Sequence, residues 1–209
     1  MPDKTLICEL VDELSPAASM IGAVNTVVNK DGRFIGHNTD GIGYMQSVKD
    51  AGFDIIGDTM TLLGAGGAAS SIFVQAALDG VKNINVFSIK DRFWEKAEKM
   101  VDAVNSKTDC NAKLIELGND DVLGESIEKS QILTNATSVG MAPNVDSCII
   151  PDKKMLREDL IVSELFIIQW KQNFLGWLRN RAARLLTVCI CFYTRELKLS
   201  KSGQEKICL

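Results

Sequence analysis

A glycine-rich turn between two apolar runs constrains the fold of this chain more than any other feature. The segment LLGAGGAASS covers residues 62–71 and places Gly64, Gly66 and Gly67 where a strand-like run gives way to a helix-like one. Glycine permits a sharp turn and a close approach of ligand to backbone, and the helix N-terminus behind it offers free N–H groups to an anion. The pattern predicts a dinucleotide-binding turn, and a plain tight turn is the alternative.

The glycine turn opens a regular alternation of strand-like and helix-like segments. Amphipathic stretches at residues 68–78 and 93–104 separate the first three apolar runs. The apolar runs, each about the length of a buried strand, lie at residues 59–63, 84–87, 112–117, 132–134 and 160–163. This alternation predicts an α/β fold built on a doubly wound parallel sheet with helices on both faces.

A second unit precedes this alternation. Residues 21–28 are strand-like, and a short strand at residues 33–36 completes a predicted hairpin. Residues 41–51 then have the pattern of a helix that stops at Gly52. His37, the only histidine of the chain, is expected in an exposed loop.

Composition narrows the possible functions. The formal net charge is -4, and lysine and arginine are scattered among the acids, so no basic stripe follows a nucleic acid backbone. The six cysteines form no C-x-x-C pair, so we predict no metal site and a reducing cytoplasm. No signal peptide is recognisable, and the longest apolar run, residues 185–193, is shorter than the ~20 residues of a membrane helix. We expect neither a nucleic acid partner nor a membrane partner.

The end of the second predicted strand of the sheet is where a dinucleotide ribose would be recognised. An acid there accepts the 2′-hydroxyl of NAD, whereas a basic residue favours the 2′-phosphate of NADP. Ser88, Lys90, Asp91 and Arg92 offer both signs of charge. We expect NAD, with NADP tolerated through Lys90 or Arg92; alternatively, these charged residues cap and solvate the next helix.

Two residues are candidates for acid/base chemistry. Oxidation of a secondary alcohol requires a group that takes the hydroxyl proton as hydride leaves, and a lysine or aspartate held by a partner is suited to this role. Lys4 and Asp40 are the candidates. Without the motif context, we prefer to interpret Lys4 as a frayed terminal lysine and Asp40 as a helix N-cap.

Five motifs, in order, give the chain a family resemblance. They are M-P-D-K at residues 1–4, G-A-V-N-T at 22–26, N-T-D-G-I-G at 38–43, G-A-G-G-A at 64–68 and N-A-T-S-V-G-M at 135–141. Up to about residue 163, the chain resembles shikimate dehydrogenases, particularly the branch that also accepts quinate. The resemblance implies a Rossmann-like fold and NAD(P)-dependent, reversible oxidation of shikimate or quinate to the 3-dehydro acid. It also implies a place in chorismate and aromatic amino acid biosynthesis.

The resemblance assigns roles to individual residues. Lys4 becomes the acid/base, Asp40 its partner, and Asn25 a ligand of the substrate hydroxyls. The expected cofactor-side residues are Gly64, Ala65, Gly66, Gly67, Ala68, Ser88, Lys90, Asp91, Asn135, Thr137 and Met141. Residues 1–53 are then the remnant of a substrate-binding α/β domain and 54–163 the cofactor domain. A small-molecule substrate is the implied partner, and dimerisation is left open.

The chain departs from the family pattern at both ends. The family's S-x-S motif, which grips the substrate carboxylate, is missing, and neither Y-N-P nor Q-G-A appears after residue 163. Read from the last base of the preceding codon, however, residues 165–170 can encode V-Y-N-P-M, and residues 192–199 can encode L-Y-Q-G-A-E-A. Residues 202–208 can likewise encode W-S-G-K-D-M. We therefore hypothesise a one-frame slip near Glu164, which makes residues 164–209 an aberrant, out-of-frame tail.

Three functional interpretations follow. The first is a shikimate or quinate dehydrogenase whose present form shows little or no turnover, because several substrate-side motifs are missing. The second is a catalytically dead nucleotide-binding fragment, the product of a pseudogene. The third is a related enzyme on the same cofactor fold, such as a methylene-tetrahydrofolate dehydrogenase, which the M-P-D-K and N-T-D-G motifs disfavour.

Overall fold

The computed structural model describes residues 3–140, 147–165, 184–187 and 206–208. Its helices are α1 Asp3–Leu6, α2 Pro16–Ile21, α3 Asp40–Asp50, α4 Gly67–Asp79, α5 Trp94–Lys107 and α6 Asp120–Glu128. Its strands are β1 Glu13–Leu14, β2 Thr26–Lys30, β3 Arg33–His37, β4 Thr59–Leu63, β5 Asn83–Ser88, β6 Asn111–Glu116, β7 Ile132–Asn135, β8 Ile161–Glu164, β9 Arg184–Thr187 and β10 Lys206–Cys208. Two short 3₁₀ helices, Ile7–Glu9 and Lys153–Met155, complete the regular structure of this part of the chain.

The larger sheet has the order β6-β5-β4-β7-β8-β9, and every neighbouring pair is parallel. The chain runs outward from β4 to β6, then returns to the other side of β4 and runs outward again. This is the Rossmann order, and it confirms the predicted doubly wound fold. The direction of winding reverses between β4 and β7, so the loops after these two strands meet at the carboxyl edge of the sheet.

Alternating side chains build a core on each face of this sheet. In β4 and β7, Leu62 and Ile132 point to the face covered by α4 and α5, while Leu63 and Leu133 point to the face that α6 covers. All four are fully buried, as expected for parallel strands covered on both sides. Arg157, in the loop before β8, holds the end of α6 by donating to the carbonyls of residues 127, 128 and 130.

The smaller sheet has the order β1-β3-β2-β10. Strands β2 and β3 form the predicted hairpin, and their turn has positive φ at Asp31 (53°) and Gly32 (86°). The predicted start of the first strand, residue 21, is wrong. Residues 16–21 form α2 instead, because Ser15 caps the helix and Gly22 ends it in the left-handed conformation.

The structure also bears on the predictions for α3, for His37 and for membrane helices. Helix α3 begins and ends within one residue of the prediction, and Gly52 follows it with a φ of 84°. His37 does not lie in an exposed loop: it is the last residue of β3 and is half-buried, because β3 continues one residue beyond the prediction. Among the described residues, no helix has the length and apolarity needed to cross a membrane.

Two strands of the described structure come from residues 164–209. Strand β9 extends the larger sheet beside β8, and β10 pairs antiparallel with β2 in the smaller one. Apart from Leu165 and residues 206–208, the positions used in the frame-slip hypothesis, including those re-read as Y-N-P and Q-G-A, lie outside the described residues.

Candidate active site

Lys4, Asn25 and Asp40 come together at one point of the structure. The Lys4 ammonium Nζ lies 3.6 Å from Asp40 Oδ2, and Asn25 Nδ2 donates a hydrogen bond of 2.8 Å to Asp40 Oδ1. The Lys4 and Asp40 side chains keep 33% and 22% of their surface exposed. The carboxylate therefore has a partner on each oxygen, and both charged groups remain accessible to a ligand.

The orientation of Asn25 is imposed by its surroundings. Its side-chain oxygen accepts from the Thr39 amide at 3.0 Å, the Thr39 hydroxyl at 3.1 Å and the Thr26 hydroxyl at 3.0 Å. Because the backbone N–H of Thr39 can only donate, the amide oxygen must face it, and the NH₂ group is left to face Asp40. The G-A-V-N-T and N-T-D-G motifs thus build one hydrogen-bonded unit.

Local structure places the two charged groups. Asp40 is the first residue of α3, where a carboxylate also interacts favourably with the helix dipole. Lys4 lies in α1, and its carbonyl accepts from the Val24 amide at 2.8 Å, which ties α1 to the segment that carries Asn25. An ammonium and a carboxylate held in this way can exchange a proton with a bound hydroxyl.

Helix α3 is locked to the helix that follows the glycine turn. Gly41 lies so close to α4 that a Cβ atom there would overlap the Ser71 carbonyl and Cβ of Gln75. The Ser71 hydroxyl in turn donates to the Gly67 carbonyl at 3.0 Å. The glycine of N-T-D-G is therefore required for packing, and it sets the start of α3 against Ser71, which lies one helical turn after Gly67 in α4.

A second contact joins α3 to the middle of the sheet. The Tyr44 hydroxyl and the Thr134 hydroxyl of β7 are 2.6 Å apart, and both side chains are fully buried. Burial raises the pKa of Tyr44 to about 12, so its hydroxyl stays protonated near neutral pH. This bond fixes the Asp40 helix relative to the residue before Asn135.

The glycine turn lies between β4 and α4, as predicted. Gly64 has a φ of 105°, and a Cβ there would lie 3.1 Å from both the Ala136 carbonyl oxygen and Cγ2 of Thr137. Gly66 occupies the N-cap position of α4 without a side-chain cap, so N–H groups of the first helical turn remain available to an anion.

A cleft of about 380 Å³ opens beside this turn. Eight of the residues assigned to the cofactor side line it: Gly64, Ala65, Gly66, Gly67, Ala68, Ser88, Asp91 and Thr137. Asn135 is buried behind the Thr137 wall, with 3% of its surface exposed. Met141 lies outside the described residues. The glycines, the free helix N-terminus and the acid at the far side fit a dinucleotide.

Lys90, which was predicted to contact the cofactor, contacts Glu116 and Trp94 instead. Its Nζ lies 2.9 Å from Glu116 Oε2 and 5.5 Å from the centre of the Trp94 ring, and it is not among the residues that line the cleft. The hydrogen bond and charge of Glu116 raise the pKa of Lys90. Asp91 lines the cleft, but its Oδ1 also accepts from the Phe93 amide at 2.9 Å just ahead of α5. The capping role considered for this segment therefore coexists with exposure to the cleft.

Glu164 is a residue that sequence reasoning missed. It ends β8 with only 2% of its surface exposed, and its Oε1 accepts from Asn135 Nδ2 at 2.8 Å. Burial raises the pKa of Glu164 to about 7, although the hydrogen bond from Asn135 works in the opposite direction. The sequence signal that could have indicated Glu164 was an acidic residue directly after the short run I-V-S, at the end of a predicted buried strand.

Metal ligation finds no support in the part of the chain that the structure covers. Within residues 3–140, 147–165 and the two short outer strands, no three His, Cys, Asp or Glu side chains are grouped to hold an ion. Cys110 and Cys148 are free thiols, and burial raises the pKa of both.

Comparisons with known proteins identify the relatives of this chain. No family model matches it. A shikimate dehydrogenase (NADP(+)) of Listeria monocytogenes serotype 4b is 54% identical over 165 residues, which are 79% of this chain and 57% of the relative. The chain therefore spans a little over half the length of the curated relatives it matches.

Solved structures agree with this relationship. The crystal structure of shikimate 5-dehydrogenase from Listeria monocytogenes, in complex with shikimate and NAD, has a TM-score of 0.88 and 48% identity, covering 92% of this chain and 67% of that one. Quinate dehydrogenase from Corynebacterium glutamicum, in complex with NAD, has a TM-score of 0.73 and 25% identity, covering 88% and 64%. By its sequence and its fold, this chain belongs to the shikimate dehydrogenase family.

Proposed function

We propose that this site carries the reversible oxidation of shikimate or quinate to the 3-dehydro acid, with NAD or NADP as the hydride acceptor. The observation that carries the proposal is that Lys4 and Asn25 both contact Asp40, the first residue of α3, and that α3 packs closely against α4, the helix that follows the glycine turn. This arrangement supports a proton-transferring role for Lys4 and Asp40 beside a dinucleotide-type turn. The ligands named for the two solved relatives, shikimate and NAD, support the same assignment.

The proposed mechanism divides the reaction between hydride and proton. A bound nicotinamide cofactor supplies the acceptor for the hydride that leaves the carbinol carbon. Lys4, as the neutral amine, takes the hydroxyl proton while the C–O double bond forms, and as the ammonium it returns the proton in the reverse direction. Asp40 holds the resulting ammonium across the 3.6 Å contact, and Asn25 aligns the carboxylate.

Cofactor choice follows from the end of β5. Asp91 lines the cleft, so it is placed to accept the ribose 2′-hydroxyl of NAD and to disfavour a 2′-phosphate. Lys90, the nearest candidate for a phosphate contact, is occupied by Glu116. We propose NAD as the preferred cofactor, with NADP accepted more weakly through Lys90 or Arg92.

The remaining assignments are part of the same proposal. Residues 1–53 form the substrate side and residues 54–163 the cofactor side of a cytoplasmic enzyme of chorismate and aromatic amino acid biosynthesis. Shikimate or quinate is its small-molecule partner, and the proposal involves neither nucleic acid nor membrane. Residues 164–209 are proposed as an out-of-frame tail.

One observation favours a second function. As written, residues 164–209 contain neither Y-N-P nor Q-G-A, the motifs the family carries there. The second candidate is accordingly a protein that binds the dinucleotide without turning substrate over. For either candidate, we expect little or no multiple turnover by the chain as written, and robust steady-state rates would contradict this.

A single-turnover assay separates the two candidates. With the chain in excess over NAD and shikimate or quinate saturating, the absorbance of the reduced nicotinamide is followed over time. A slow, substrate-dependent rise that Lys4→Ala removes and Lys30→Ala leaves intact supports the dehydrogenase. Lys30 is a matched control because it is an exposed lysine at the end of β2. Equal rates in both variants refute the role of Lys4, and NAD binding with no reduction favours the second candidate.

A further inference from the structure

Glu164 is a buried carboxyl group that the proposed mechanism does not use. It lies opposite Asn135 in the register of β7 and β8, at the carboxyl edge where the winding of the sheet reverses. The residues before it in β8 are apolar or small and fully buried. A carboxyl group in such a place destabilises the fold unless its interactions compensate, so its presence needs a structural reason.

The contacts of Glu164 lead toward the cofactor cleft. Asn135 donates to Glu164 through Nδ2 at 2.8 Å and, through Oδ1, accepts from both the Thr137 amide at 3.1 Å and the Thr137 hydroxyl at 2.7 Å. The Thr137 hydroxyl oxygen then accepts from the Val139 amide at 3.3 Å. Hydrogen bonds therefore run without a break from Glu164 to two residues that line the cleft.

The chemistry of each group fixes the direction of this relay. The Glu164 Oε1 that faces Asn135 accepts a hydrogen bond whether the carboxyl group is ionised or carries a proton on its other oxygen, and a backbone N–H only donates. Glu164 on one side and the Thr137 amide on the other therefore admit one orientation of the Asn135 side chain. With an apolar residue at position 164, the Asn135 NH₂ group loses its acceptor, and only the Thr137 amide and hydroxyl still hold the side chain in this orientation.

The far end of the relay touches the glycine turn. Thr137 places its methyl group against Gly64, where a Cβ atom would lie 3.1 Å from Thr137 Cγ2. Residues 64–68 and 137–139 form facing parts of the same cleft. A shift of the Thr137 turn therefore changes the surface on which a dinucleotide would rest.

We propose that Glu164 is a positioning residue of the cofactor site, which holds the Asn135 amide in the orientation that folds residues 137–139 against the glycine turn. The inference rests on the proposed function, because it concerns the same dinucleotide. Glu164 does not touch the cofactor in this account; it acts through Asn135 and Thr137.

The test compares NAD affinity among variants of the full chain by isothermal titration calorimetry. Glu164→Met keeps the length of the side chain but removes the acceptor, and we expect it to weaken NAD binding roughly tenfold, the effect of one hydrogen bond to a charged group. Glu164→Gln keeps an acceptor oxygen and should stay within about threefold of the wild type. The matched control, Glu158→Met, alters an exposed glutamate of the preceding loop and should leave the affinity unchanged.

A double-mutant cycle adds a readout that a general loss of stability would not move. Thr137→Val replaces the hydroxyl by a methyl group and keeps the other methyl group, so we expect roughly tenfold weaker NAD binding. If the two residues act through one relay, Glu164→Met combined with Thr137→Val should be little weaker than either alone. Additive effects overturn the proposal, and so does wild-type affinity in Glu164→Met.

Failure of this inference can be told apart from failure of the proposed function. A wild-type chain that binds neither NAD nor NADP overturns both the proposed function and this inference, whereas wild-type binding that Glu164→Met leaves unchanged overturns only the inference. If Glu164→Met does not fold, as judged by its thermal unfolding, Thr137→Val decides alone. Unchanged NAD affinity in folded Thr137→Val contradicts the relay.

Discussion

Replacing Glu164 by glutamine should remove a large part of the pH dependence of stability. Burial raises the pKa of this carboxyl from 4.5 to about 7, so the folded state binds a proton more tightly than the unfolded state does. The stability that this protonation contributes is fully present below about pH 4.5 and is lost as the pH rises through about 7. Glutamine has the same shape and does not titrate.

The size of the effect follows from the shift. At about 1.4 kcal/mol for each pH unit of pKa difference, the shift corresponds to roughly 3 kcal/mol between about pH 4 and about pH 8. Over that interval the free energy of unfolding of the wild type should fall by roughly this amount relative to Glu164→Gln. Asp79 also has a raised pKa through burial, but it is present in both proteins and cancels in the comparison.

Urea unfolding followed by circular dichroism, at several pH values across this interval, measures the difference. Asp79→Asn serves as the control, because Asp79 is another carboxyl group whose pKa burial raises. Introducing Asp79→Asn into both proteins should leave the pH-dependent difference in unfolding free energy between Glu164 and Glu164→Gln unchanged. Parallel curves of unfolding free energy against pH for the wild type and Glu164→Gln would show that the carboxyl group titrates normally, and this would refute the reasoning.

Three further outcomes are expected. Gly64→Ala should abolish NAD binding and destabilise the fold by about 1–2 kcal/mol, because it combines positive φ with a close backbone contact; Gly57→Ala, with positive φ but open space, should keep NAD binding, and equal binding in both would contradict the contact argument. Tyr44→Phe should lower the unfolding free energy by about 1–3 kcal/mol by leaving the buried Thr134 hydroxyl without its partner, and an unchanged thermal midpoint would count against it. Asp91→Asn should narrow the preference for NAD over NADP in paired titrations, and an unchanged ratio of dissociation constants would remove Asp91 from cofactor selection.

Strands β4 to β8 of the larger sheet were predictable because each contains a short, mainly apolar run. β4 agrees with its predicted bounds at both ends, and the other predicted strands agree within one residue. Helix α6 was missed because its sequence, DDVLGESIE, is mostly polar and contains a glycine. The start of β2 was misplaced because the apolar residues before it belong to the end of α2 and to the loop that orients Asn25.

The site residues also fall into those that the sequence indicated and those that depend on long-range contacts. Lys4 and Asp40 are 36 positions apart, and only the family motifs, not local pattern, indicated that they meet. Lys90 forms an ion pair with Glu116 and does not line the cleft. The pairing of β5 with β6 brings Glu116 next to the end of β5, where Lys90 follows. Glu164 depends in the same way on the register of β7 and β8. Contacts between strands distant in sequence were the part that sequence patterns could not supply.

The frame-slip hypothesis stays a prediction with its own test. Resequencing the gene across the codons for residues 160–170 should either remove one base difference and restore Y-N-P, or confirm the slip in the genome. Codons incompatible with the V-Y-N-P-M and L-Y-Q-G-A-E-A readings would refute it. The re-reading begins at the last base of the Leu165 codon, so Glu164 and the residues that line the described cleft are the same in both frames.

We propose that the glycine turn and the facing residues 137–139 form the dinucleotide site that Lys4 and Asp40 serve. The decisive experiment is calorimetric titration of NAD into the full chain. We expect saturable binding at one site, stronger for NAD than for NADP and lost in Gly64→Ala. A chain that is folded by circular dichroism and yet binds neither dinucleotide would contradict it.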